Sequence, residues 1–209
     1  MIAGGELGHA LGISLKALFI GFGLSASTGV LMGLVAGRYN YIKRLLDPIM
    51  VAFYVTPRVA LIPFIIVWFG IGFSAKLSVI WLTSFFIIYF NVVKGVSNVS
   101  GSYVDVARAY GATENIVLKD VILPAVLPYI ATGLRLGLGL SLIGMVVSEF
   151  FIGITGLGGL IMTYALRFKI AEVFVVTFVI LFLGVILMNL ATILENRLSH
   201  WRKTERAFR

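Results

Sequence analysis

Cysteine is absent from the 209 residues, so this chain can build neither a disulfide framework nor a thiolate metal site. Histidine is nearly absent: His9 and His200 stand far apart, without ligand-like spacing. Catalytic signatures are missing too. No GxxxxGK followed by Ser or Thr is available to cradle nucleotide phosphates, no HExxH or GxSxG occurs, and no pair of carboxylates sits within an apolar run. These absences point to a non-catalytic chain without a cofactor, so any ATP hydrolysis that drives it belongs to another chain. Acidic residues are few, 9 against 17 Lys and Arg, giving a formal charge of +8. The basic residues are scattered between apolar runs rather than massed in a patch, so membrane topology explains them better than a nucleic-acid partner.

Apolar sequence dominates what remains. Hydrophobic residues make up 60% of the chain and the mean hydropathy is +1.05, which excludes an ordinary soluble domain. Several runs exceed the ~18 residues that suggest a membrane-spanning helix. The pattern predicts an all-α fold: a polytopic membrane helical bundle of about five spans plus a short re-entrant or interfacial helix, in one domain over residues 1–209.

Residues 1–8 read as a terminal tail, without the basic region and cleavage site of a signal peptide. The first span is expected at about Gly12 to Gly37. Gly21, Ser25, Gly29, Gly33 and Gly37 recur every fourth residue, a stripe along which another helix can approach closely. The second span, about Asp47 to Gly70, holds Pro48, Pro57 and Pro63, so a broken or kinked helix is expected. Arg58 lies inside that run, either lining a path or snorkelling to the cytoplasmic interface. A turn over Ile71 to Ala75 leads to the third span, about Lys76 to Val96, where Asn91 reads as an interhelical hydrogen-bonding group. The fourth, about Leu127 to Phe151, carries Arg135, Glu149 and the small residues Gly133, Gly137 and Ser141. Arg135 could hold helices or subunits together or sense an anion, and Glu149 is expected at the outer interface. Thr155 to Gly159 reads as a flexible turn before an apolar stretch, ending at Phe168, that is too short to cross. The last span covers about Val173 to Ile193, followed by a basic tail, Arg197 to Arg209. The candidate path residues are thus Arg58, Pro63, Asn91, Arg135 and Glu149.

The polar stretch at about 98–124, between the third and fourth spans, has the densest local logic. Val104 to Tyr110 reads as a short helix with Asp105 near its positive end. Gly111 supplies the left-handed position that stops it, Thr113 can cap a second short helix through Lys119 with Glu114 in its first turn, and Pro124 and Pro128 mark the return to apolar sequence.

This stretch resembles the coupling loop of ATP-binding-cassette importer permeases. There an EAA-like triplet is followed, four residues after its last alanine, by glycine, and later by a hydrophobic residue, leucine and proline. The matching positions are Asp105, Val106 and Ala107, then Gly111, then Ile122, Leu123 and Pro124; Asp stands for Glu and Val for the first Ala. SLKALFIGF at 14–22, RVALIPFIIVWFGIGFSAK at 58–76 and SEFFIGITGLGGLI at 148–161 look like the nitrate, sulfonate and taurine branch, which also includes carriers of thiamine-pyrimidine precursors. The resemblance implies the importer-permease fold, a homodimer, two cassette ATPase subunits, an extracytoplasmic solute-binding protein and a bacterial or archaeal cytoplasmic membrane. It also implies alternating access driven by ATP, with a small anion such as sulfonate, taurine or nitrate as cargo. The ATPase-coupling residues it implies are Val104, Asp105, Ala107, Arg108, Gly111, Ala112, Thr113, Glu114, Leu123 and Pro124. The first of the family's usual six spans has no counterpart here, compatible with a shortened gene start or a truncated chain. Gly111→Asp is expected to abolish transport and spare membrane insertion.

Charge placement gives an orientation. Arg38, Lys43, Arg44, Lys94, Arg108, Lys119, Arg197, Arg202, Lys203, Arg206 and Arg209 fall on one side of five alternating spans; Lys76, Arg167 and Lys169 fall on the other. The first side is therefore cytoplasmic, with the N-terminus outside and the C-terminus inside. A self-sufficient channel or membrane scaffold is the competing class. It would explain the hydrophobicity but not a capped, glycine-stopped foot.

Overall fold

The computed structural model describes residues 5–198. Residues 1–4, and His200, Arg202, Lys203, Arg206 and Arg209 of the basic tail, lie outside the described residues. The helices are α1 (Glu6–Arg38), α2 (Asn40–Val55), α3 (Ile62–Phe69), α4 (Phe73–Ser97), α5 (Gly101–Ala109), α6 (Glu114–Ile116), α7 (Leu123–Phe151), α8 (Gly156–Leu166) and α9 (Ile170–Leu198), and no strand occurs among the described residues. Among the described residues four stretches are long and apolar enough to cross a membrane: α1, α4, the continuous run Glu114–Phe151, and α9. The bent pair α2–α3 makes a fifth when counted as one span. Helix α8 is the short apolar helix expected before the last span.

Helix α4 is the centre of the bundle. Within a bilayer lipid tails are as apolar as leucine, so close packing rather than water exclusion decides which helices meet. The α1 stripe supplies that closeness: Gly21, Gly29, Gly33 and Gly37 press against Ile80, Ile88, Val92 and Val96. A Cβ at Gly33 would lie 2.7 Å from the Val92 Cβ and 3.1 Å from the Tyr89 carbonyl oxygen. Ser25, in the same stripe, accepts a 2.6 Å hydrogen bond from Ser84. On its other flank α4 meets Gly133, Gly137 and Gly144 of α7 through Asn91, Ile88 and Thr83. The consequence is that 67% of the apolar window of α4 is buried in the protein, against 11% for α9, whose surface is left for lipid or a partner.

Of three local expectations one holds and two are revised. The second span is broken, as its prolines required: α2 stops at Val55, Thr56 and Pro57 are extended, a 3-10 turn covers Arg58–Leu61, and α3 leaves at 97°. The residue before a proline is pushed out of helical geometry, which places the break at Thr56. The fourth span begins well before Leu127, because α6 runs through a π-helical segment, Val117–Ile122, directly into α7. Pro124, at the return to apolar sequence, lies inside that continuous helix although it cannot donate a backbone hydrogen bond. Its ring crowds the carbonyl four residues back, at Asp120, and the wider π turn there absorbs the misfit. Finally, the glycine-rich residues after Thr155 are helical rather than a flexible turn, since Gly156–Gly159 form the buried first turn of α8.

Candidate coupling foot and transport path

The foot is built on one end of the bundle. α5 closes with a Schellman motif: Gly111, at φ +82°, donates to the Arg108 carbonyl at 2.9 Å, and Ala112 donates to the Ala107 carbonyl at 3.0 Å. Thr113 is extended just before Glu114, as a cap position requires, but its side chain makes no capping bond. Val104, Ala107 and Ala112 pack inward against the cluster holding Val92, Val96, Val117, Ile122 and Val126. They support the foot; its outward face belongs to Tyr103, Val106 and Tyr110, which are 61, 56 and 90% exposed. Sequence reading had named Val106 only as a motif position and had not singled out Tyr103 or Tyr110. Their i, i+3, i+7 spacing, on a face apart from that of Val104 and Ala107, was the signal available.

Polar contacts brace the foot. Glu114 binds Arg108, with 3.1 Å to its Nε and 2.6 Å to Nη2, while its other oxygen accepts from Arg38 at the end of α1. The Arg108 hydrogen bond first, and the Arg38 one in support, holds the Glu114 carboxyl below the usual carboxylate range. Nearby, Lys43 donates to Ser97 at 3.1 Å and Asn98 to the Tyr129 hydroxyl at 3.0 Å, so the ends of α1, α2, α4 and the foot share one face. Arg38, Lys43, Lys94 and Arg108 therefore gather at one end. The run from Glu114 to Phe151 is 38 residues, about 57 Å at 1.5 Å per residue, so its foot end projects beyond a ~30 Å hydrocarbon core. Asp105 and Pro124 are exposed there and Leu123 is half-buried.

The five candidate path residues do not converge. Asn91 sits at the α4–α7 seam, facing Gly133, but its amide donates within α4, to the Ile87 carbonyl at 2.7 Å, and not across helices as expected. Pro63 occupies the first turn of α3. Arg135 pairs with Glu195 of α9 at 2.5 Å, and Thr132 donates to the same carboxyl at 2.6 Å, which ties α7 to α9. Glu149 departs from the expectation of an outer-interface position: its exposure is 0%. Its carboxyl accepts from Ser14 at 2.6 Å and from the Gly158 amide at 2.8 Å, while Ser14 accepts from the Leu157 amide at 2.8 Å. Lys76, expected in an outer loop, is buried in the first turn of α4 and donates to Thr155. Three helices thus satisfy the free amides and flank of the α8 N-terminus, a site with no local side-chain cap.

Arg58 stands apart. It occupies the 3-10 turn at the break, its guanidinium lies 5.5 Å from the Tyr54 ring centroid, and its buried Nε has no hydrogen-bond partner. An arginine at membrane depth costs about 2.5–3.5 kcal/mol on insertion scales, so it requires compensation. It opens on a cavity of about 250 Å³ shared with Val59, Val79, Thr83, Leu140, Ile143, Gly144 and Val147. Among the described residues no group of His, Asp and Glu side chains is placed to share a metal ion.

Residues 29–200 match the family described as binding-protein-dependent transport system inner membrane component. The chain belongs to that family. It is an ATP-binding-cassette importer permease, an inner-membrane subunit, and its relatives place it in the branch that holds sulfonate and taurine permeases. SsuC of Escherichia coli (strain K12), named for aliphatic sulfonates transport, is 36% identical over 95% of this chain and 76% of its own length. The taurine transport system permease protein TauC of the same strain is 30% identical over 91% of this chain and 70% of its own. The formylaminopyrimidine transport permease protein ThiX of Halalkalibacterium halodurans is 31% identical over 92% and 77%. Among solved structures, the MetNI methionine ABC transporter in an inward-facing conformation superposes with a TM-score of 0.72, covering 92% of this chain and 94% of that one. At 19% identity this likeness speaks for the importer-permease fold alone.

Proposed function

We propose that this permease forms the translocation path of a homodimeric importer for a small organic or inorganic anion, of the sulfonate, taurine or nitrate kind, and is driven through its foot by separate cassette ATPase subunits. A solute-binding protein delivers the cargo from outside. The foot end faces the cytoplasm, which sets the N-terminus outside and the C-terminus inside, in keeping with the basic residues gathered there. The observation that carries this reading is the foot itself: an exposed apolar face, Tyr103, Val106 and Tyr110, on a helix fixed by the Gly111 motif and by Glu114 to the end of a span. A foot that transmits motion must be rigid and must make different contacts in two states, and those features supply the first requirement. ThiX among the relatives favours a second cargo, a formylaminopyrimidine-type precursor.

The test is a pull-down of the chain from native membranes, comparing wild type with Gly111→Asn and Gly111→Val. At φ +82° asparagine is tolerated and a β-branched side chain is not. Wild type and Gly111→Asn should bring down a cassette ATPase and support ATP-driven uptake, whereas Gly111→Val should insert in the membrane and lose both. Recovery of the wild-type chain alone, folded and stable, would move the assignment to a self-sufficient channel or scaffold.

A further inference from the structure

The cavity under the break between α2 and α3 is bordered by Arg58, a candidate-path cation that has no carboxylate partner among the described residues. Arg135 is neutralised by Glu195. Three larger cavities lack an unpaired charge: one, about 400 Å³, has only that neutralised pair at its edge, a second, about 420 Å³, is lined by Phe, Leu, Ile, Trp and a serine, and a third, about 330 Å³, is lined by Leu24, Thr28, Ser74, Leu77, Ser78 and Trp81. Among the described residues Arg58 has no carboxylate partner and no hydrogen bond at its buried Nε, and its guanidinium lies 5.5 Å from the Tyr54 ring centroid. A cation without a carboxylate partner thus borders a surrounding of Val79, Ile143 and Val147.

We propose that this cavity is an anion subsite on the transport path, in which Arg58 takes the oxyanion group of the cargo. The inference rests on the permease reading above and adds where, and by which residue, the anion is held. Arginine suits a sulfonate because its planar fork can bond two oxygens at once. Thr83 borders the same space; its hydroxyl donates to the Val79 carbonyl at 2.7 Å, so its lone pairs face outward as acceptors, suited to an ammonium or amide on the cargo rather than to its oxyanion. Gly144 keeps that space open, since a Cβ there would meet the Thr83 hydroxyl at 2.9 Å. A volume of about 250 Å³ holds on the order of eight waters at ~30 Å³ each, enough for a small oxyanion with part of its shell. Thr83 lies about 15 Å along α4 from Phe73, and Gly144 about 10 Å from the end of α7, so the cavity is well inside a ~30 Å core.

The test uses the purified permease with its ATPase partner in lipid nanodiscs, titrated with methanesulfonate and with its neutral isostere dimethyl sulfone, binding being read by calorimetry. Methanesulfonate should bind saturably and dimethyl sulfone at least about tenfold more weakly. Arg58→Gln should lose about tenfold or more of the methanesulfonate affinity, Arg58→Lys should keep part of it, and Arg135→Gln should match wild type. Equal binding of the two isosteres, or unchanged affinity in both Arg58 variants, overturns the proposal. The unfolding midpoint of each unliganded variant separates loss of binding from loss of fold, and Arg58→Lys carries the test if Arg58→Gln does not fold. Failure of the permease reading has a different signature: no ATPase co-purifies, whatever the chain binds.

Discussion

Replacing Glu149 tests whether a buried carboxyl in this bundle is an anchor or a path residue. Glu149→Ala removes the acceptor for the Ser14 hydroxyl and the Gly158 amide. Each donor left without a partner costs about 1–3 kcal/mol. The serine hydroxyl can turn back to a carbonyl of its own helix, so its cost falls at the low end. The amide at the α8 N-terminus has no such recourse, and the vacated volume adds a cavity cost on the order of 1–2 kcal/mol. The total is about 3–6 kcal/mol, which for a chain of this size lowers the unfolding midpoint by about 6–24 °C at 2–4 °C per kcal/mol. Glu149→Gln should cost far less, because the amide oxygen can serve Gly158 and the amide nitrogen can donate to Ser14. Thermal unfolding of the purified protein in one detergent measures both. Ser14→Ala should be non-additive with Glu149→Ala, since they share one network. An alanine variant within 2 °C of wild type by the scale just given, or a glutamine variant as damaged as alanine, would refute the reasoning.

Other positions separate packing from transmission. Gly33→Val should abolish stable insertion, with a new Cβ 2.7 Å from Val92, whereas Gly23→Ala meets nothing within 4 Å and should leave the yield of folded protein unchanged or raised. Arg135→Met and Glu195→Met should each lower the unfolding midpoint, and the double variant should recover much of the loss, as a lone partly buried charge is worse than none. Glu114→Gln should leave the midpoint unchanged, because the pair is exposed, yet lower substrate imported per ATP hydrolysed. Because the carboxyl is held below its ordinary range, its contribution is fully present above about pH 4.3 and is lost only as pH falls through the lower folded-state value. Uptake per ATP should therefore be flat from pH 5 to 8 at wild-type Glu114 as far as this group is concerned, on that reference value.

The element inventory was legible because a bilayer enforces it. Backbone groups must be paired within each segment, so apolar length alone marks α1, α4, α7 and α9. The α1 glycine stripe was legible as a contact face, and so was the stop at Gly111, since a left-handed residue after a helix leaves few alternatives. The site was only partly legible. Arg58 was visible as a charge in an apolar run, but that Arg135 has a carboxylate partner, Glu195, while Arg58 has none among the described residues depends on residues far away in the chain. Glu149 was misplaced for the same reason: its partners are Ser14 and Gly158, and one of them lies at the other end of the sequence. The expected end of the second short helix at Lys119 and the glycines after Thr155 misled because local propensity was overridden, by a π turn that carries the helix past Pro124 in one case and by tertiary capping in the other.

By itself the sequence determined a helical membrane protein, the location and stop of its foot, the break near Pro57 and the family to which it belongs, since each follows from hydropathy, residue geometry or motif spacing within one segment. The tertiary structure alone decided that α4 is the centre, that Glu149 caps α8, that Glu114 joins the foot to α1 and that Arg58 faces a cavity without a counter-charge. Those facts are pairings between segments. They are set by which small residues let backbones approach and which polar groups then find one another, and no single window of sequence contains both partners.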